Sequence, residues 1–153
     1  MSQDFNINLL RYYITNIKLE GPDGASFEDD VDVDISETKG IYLIDESDLA
    51  TGFITFDNVP SGEYNKITFT VGVNENGMQD GAVGGVLDPA TCNMFWNWNS
   101  GYIAIKFEGQ SSMSNGGASG SETLDATISN AILYHVGGWR DMEGTAFVYK
   151  KKV

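Results

Sequence analysis

Several things are scarce in this chain, and each scarcity removes a class of explanation. There is one cysteine, Cys92, so no internal disulfide forms and a disulfide-stapled scaffold is excluded. Nine lysines and arginines stand against 22 acids, a formal charge of −13. Such a surface repels phosphate backbones and excludes nucleic acid as a partner. No apolar run approaches the roughly 20 residues that span a bilayer, so no transmembrane segment is expected. The opening MSQDFNINLLRYY lacks a basic n-region followed by an apolar h-region, so no signal peptide is visible. That leaves a cytoplasmic protein or a chain beginning after a processing site. A single histidine, His135, with no GxSxG elbow and no argued carboxylate pair, gives no basis for an enzyme.

What is present is a core and an alternation. The 153 residues are 41% hydrophobic and 12% aromatic, enough for one domain, residues 1–153, with a buried interior. Period-two patterning dominates. In 11-RYYITNIKLE-20, Tyr12, Ile14, Asn16 and Lys18 share one face and Tyr13, Thr15, Ile17 and Leu19 the other. Further strands are predicted at 27–36, 40–45, 52–56, 64–73, 101–109, 123–129, 130–136 and 145–152. In 101–109 the pattern sets Tyr102, Ala104, Lys106 and Glu108 against Ile103, Ile105 and Phe107. Residues 74–93 and 110–121 read as loops, and 45–52 makes at most one helical turn. The expected fold is all-β: an antiparallel β-sandwich, Ig-like or jelly-roll-like, of about seven to nine strands.

Three constellations carry potential chemistry. Asp30, Asp32 and Asp34 space like a calcium loop, but Val31 and Val33 intervene and the turning glycine is missing, so they read as a solvated strand face. His135, in 134-YHVGGW-139, is either a copper or zinc ligand or a strand-end residue bonded to a carbonyl. In 95-FWNW-98, Trp96 and Trp98 face the same way if the segment is extended. They fill a core, or stack on a sugar, with Asn97 beside them.

The strings RYYITNIKL, YLID, FDNVPSGEYNKITFTVGV, GVLDP, MFWNWNSGYIAIKFEG and YHVGGW, in that order over residues 9–139, resemble the methanobactin-associated copper-binding (MbnP-like) family. The resemblance implies an exported, non-catalytic β-sandwich in the periplasm or at the outer cell surface, lipid-anchored in some members. It implies copper binding and, in some members, a tryptophan oxidised to kynurenine by a di-haem peroxidase-type partner. Carried onto this chain, the metal neighbourhood is His135, Trp96, Trp98 and Met94, the last offering a thioether to Cu(I). One histidine departs from the family's several. The chain resembles a short or truncated member of the Bacteroidetes type. The competing expectation is a cell-envelope module without metal, binding carbohydrate or protein through Tyr102, Trp139 and Asn97.

Overall fold

The alternation around RYYITNIKLE extends further than its sequence pattern, into a strand of 16 residues, Phe5–Glu20. The structure is a computed structural model and describes residues 4–73, 83–97, 101–114 and 130–138, and the backbone alone of 147–152. Its strands, in chain order, are β1 (Phe5–Glu20), β2 (Ser26–Glu28), β3 (Asp32–Val33), β4 (Thr38–Lys39), β5 (Ile41–Asp45), β6 (Lys66–Val71), β7 (Phe95–Asn97), β8 (Gly101–Ser111), β9 (Ala131–Gly137) and β10 (Phe147–Lys152). Trp98, Trp139 and the strand expected at 123–129 lie outside the described residues.

β1 organises the rest. Along one edge it pairs with β5 and then β2; along the other, with β8 and then β6. Every pairing is antiparallel, and β10 extends the sheet beyond β6. The change of partner coincides with a bulge between Thr15 and Lys18, where Asn16 takes φ 52. Asparagine tolerates this left-handed geometry, and the extra residue bends the strand and raises its twist. The result is the expected all-β, sandwich-like arrangement, not closed into a barrel.

The core follows from one face of β1. Tyr13, Thr15 and Ile17 are 0–3% exposed, whereas Tyr12, Ile14, Asn16 and Lys18 are half-buried. Against that inner face the segment 83–94 lays Val83, Leu87, Cys92 and Met94. It contains a short 3-10 turn, Gly85–Leu87, inside the stretch expected to be loop.

Two expectations need correction. Residues 27–36 do not form one strand. Asp34 Oδ1 instead accepts from the amides of Ser36 (2.5 Å) and Glu37 (3.0 Å), a side-chain turn that competes with the ladder and leaves β2 and β3 as fragments. Asp30, Asp32 and Asp34 are all exposed. Residues 52–56 are not a strand either. The chain leaves a 3-10 turn, Leu49–Gly52, capped by Asp48 Oδ1 on the Ala50 amide, and then lays Phe56 against Phe27 and Tyr42 at ring separations of 5.3 and 6.3 Å. Aromatic packing from a loop has replaced the predicted ladder. Among the described residues no helix is long and apolar enough to cross a membrane.

Candidate functional site

β8 lies between β1 and β9, so both of its faces are decided by side chains from three strands. Register makes Arg11, Lys106 and His135 cross-strand neighbours on the inner face. Three cationic or ionisable side chains in one row repel unless each is answered. Arg11 Nε donates to Asp45 Oδ2 at 2.7 Å. Lys106, 2% exposed, donates from Nζ to both the backbone oxygen and Oδ1 of Asn93, each at 3.2 Å, and lies 3.7 Å from Glu108 Oε1. His135 Nε2 lies 2.9 Å from that same Glu108 oxygen. Asn93 reaches the lysine because it sits at φ 52, which turns its carbonyl and side-chain oxygens towards one point.

Next to this network the interior is aromatic and protonated. Tyr13 and Tyr102 meet edge to face at 6.2 Å. Their hydroxyls donate to the Val86 and Leu87 carbonyls at 2.8 and 2.6 Å. Burial, and then the neighbouring Cys92, pushes both phenols well above the ordinary tyrosine value. They serve as hydrogen-bond donors. Cys92 is a free, buried thiol whose sulfur accepts from the Met94 amide.

The described members of the sites expected from sequence lie at different places on this frame. His135 is half-buried in the ion network on one edge of β8. Met94 is 0% exposed among Leu87, Cys92 and Tyr102, and its carbonyl accepts from the Ile103 amide on the opposite edge. Tyr102 is 4% exposed, packed against Phe95 at 4.9 Å. Trp96, at 36% exposure, and Asn97 face solvent on β7.

Among the described residues, the donors around His135 do not by themselves make up a copper centre. The chain has no second histidine, and the Nε2 of this one already faces a carboxylate. An ammonium stands on the same carboxylate oxygen, so an added cation meets like charge at a buried point. Among the described residues no group of three His, Cys, Asp or Glu side chains is placed to hold a metal ion. Lys106, Glu108 and Asn93 were not among the residues singled out by sequence. The available signal was that Lys106 and Glu108 alternate in phase with Tyr102 and Ala104, which are core types.

The outer face of the same strands is apolar. Phe5 stacks on Phe107 with centroids 5.4 Å apart and planes 5° from parallel, and Phe107 meets Tyr134 at 6.2 Å. Phe5, Ile7 and Tyr134 remain 44%, 54% and 62% exposed. Gly109 makes room for this row: a Cβ there would meet the Asn6 carbonyl at 2.4 Å and the Phe5 ring at 3.3 Å.

Comparison with known proteins adds the following. A family model for MbnP matches residues 1–153. The solved structure of MbnP from Methylosinus trichosporium is similar in fold, with a TM-score of 0.53 and 16% sequence identity, over 87% of this chain and 51% of that one. This chain therefore spans about half the length of that one, and at this identity the likeness concerns fold alone. No curated protein matches.

Proposed function

The chain belongs to the MbnP family, and from that premise we propose that it is an extracytoplasmic binding domain that docks a basic protein through the outer face of β1, β8 and β9, without a copper centre of its own. As a member of that family it is read as a non-catalytic domain. Location outside the cytoplasm follows the family.

One observation carries the docking reading. The row Phe5–Phe107–Tyr134, with Ile7 beside it, leaves Phe5, Ile7 and Tyr134 exposed around a half-buried Phe107, next to a buried lysine on β8. A contiguous exposed apolar patch on a soluble domain marks an interaction surface. Interlocked rings with an aliphatic neighbour favour a protein contact over a flat, polar-rimmed sugar platform. Charge chooses the partner. The chain carries −13, and Arg11, Lys18, Lys39, Lys66 and Lys106, the cations whose side chains are described, are each paired with a carboxylate. Two such surfaces repel one another, whereas lysines and arginines around an aromatic patch on a partner are attracted. A di-haem peroxidase-type partner, implied by family resemblance, would find Trp96 as the exposed indole among the described residues.

The test is a photo-crosslinking residue placed at Tyr134, compared with one at exposed Asp48, in cells that export the protein. The reading expects one adduct with a basic protein from position 134 alone, lost when Phe107→Ser is added. Equal adducts at both positions, or none, would overturn it. Sedimentation of the purified chain should show a monomer; a dimer abolished by Phe107→Ser would make the occupant a second copy.

A further inference from the structure

We infer that the Lys106 ammonium fills an internal cation site built by Asn93, Glu108 and His135, and that removing this ammonium converts the place into a site for a divalent metal ion. The geometry is that of a coordination shell around a tethered cation. Two oxygens of one residue converge on Nζ at 3.2 Å, and a carboxylate oxygen completes the set at 3.7 Å. The imidazole Nε2 lies 2.9 Å from that carboxylate oxygen. An ammonium offers three protons, and here two find hydrogen-bond acceptors and the third side carries an ion pair.

Carbonyl, carboxylate and imidazole donors are the types that bind Zn2+ when no fixed positive charge stands among them. With Lys106 in place the same donors are occupied and the position is already positive. Entry is not the obstacle, because Asn93 itself is exposed. The left-handed φ of Asn93 is a second mark of a built site. Among the described residues five non-glycine positions have a positive φ, and Asn93 is the one that aims both of its oxygens at the lysine. In the native chain the lysine itself thus supplies the positive charge at the centre of these donors. This cation site stands apart from the docking face and does not depend on it.

The experiment follows thermal unfolding with and without a saturating excess of Zn2+, at moderate salt, for the native chain, Lys106→Ala, Lys106→Ala with Glu108→Gln, and Lys106→Leu. Lys106→Ala leaves room for the ion and should melt lower than the native chain, with Zn2+ raising its midpoint by about 5 °C, the shift expected of a ligand well above its Kd. The double variant, lacking the carboxylate, and Lys106→Leu, with the space filled, should not respond. The native chain should move by less than about 1 °C, since an occupied site gains nothing from added ion. Lys106→Ala that stays unshifted or unfolded in Zn2+ would overturn the inference. So would Lys106→Leu shifting as far as Lys106→Ala, which would place the ion on the acidic surface. A saturable native shift lost in His135→Ala would also overturn it.

Discussion

On β8, residues one position apart have opposite fates. Lys106 is 2% exposed and answered on every side, while its neighbour Phe107 belongs to a ring row whose ends are 44% and 62% exposed. The usual rule of greasy inside and charged outside is inverted at these two positions, though Tyr102 and Ala104 on the same strand follow it. The inner face can hold a charge because a loop brings Asn93 to it, β9 brings His135, and Glu108 lies two positions along β8 itself. The outer face can stay apolar because Gly109 lets Phe5 lie flat on Phe107 and the chain's net charge keeps it soluble. At the other end of β1 the outer face is treated differently: Phe56 folds over Phe27 and Tyr42 there. Coverage at one end and exposure at the other argue that the open end is kept open for a contact.

The largest expected effect lies on the inner face. Lys106→Leu leaves the Glu108–His135 pair without its cation, and breaking a buried ion network from one side costs about 3–5 kcal/mol in urea unfolding. A loss below about 1 kcal/mol would mean that the lysine is a surface residue in solution, and the contrast between the faces would disappear. Tyr13→Phe comes next. It removes the donor to the Val86 carbonyl from a fully buried position and should cost about 1–3 kcal/mol by the same measurement. An unchanged midpoint would show that water replaces the bond.

The acid side of the inner face gives a smaller effect with a definite sign. Asp45 is held below its ordinary carboxylate value, first by the Ser47 hydroxyl and in part by Arg11. A depressed folded value means that its stabilisation is complete above the ordinary carboxylate range and is lost as pH falls below it. Ser47→Ala should flatten that acid limb; an unaltered limb between native and variant would assign the acid sensitivity elsewhere. On the outer face, Tyr12 has the opposite sign. Burial, and then its bond to Glu46, raises its hydroxyl to about 12, so its stabilisation is present below the ordinary tyrosine value and fades as pH rises towards 12. Tyr12→Phe should remove that alkaline dependence. The smallest stability effect belongs to Tyr134→Ser, within about 0.5 kcal/mol, because exposed positions away from special features move little. The same substitution should nevertheless reduce partner crosslinking from a neighbouring outer-face position about tenfold. A variant that unfolds the chain instead would make the ring row a second core.

Much of the fold was legible in the residues, because sheets announce themselves by alternation. Tyr13, Thr15 and Ile17 were set apart by period alone, and they are the buried face of β1. The failures have local causes. The segment 27–36 alternates well, yet Asp34 spends its carboxylate on the amides ahead of it and breaks the strand. Phe56 sits in a β-rich string, yet its ring finds Phe27 across the sheet, a long-range contact that no local pattern contains. At the candidate site, the aromatic run drew attention to Trp96 and Met94, whereas the charged cluster is made by Lys106, Glu108 and Asn93. Alternation located Lys106 and Glu108 on one face but could not say which face was inside. That depended on the segment 83–94, whose packing is tertiary.

The most direct test of the account is an equilibrium copper titration of the native chain, Cu(I) and Cu(II) separately at moderate salt, alongside His135→Ala. With an ammonium already seated among the donors, both proteins should show the same weak, unsaturable uptake of an acidic surface. One tight equivalent in the native chain, lost in His135→Ala, would contradict the account and make His135 a copper ligand despite Lys106.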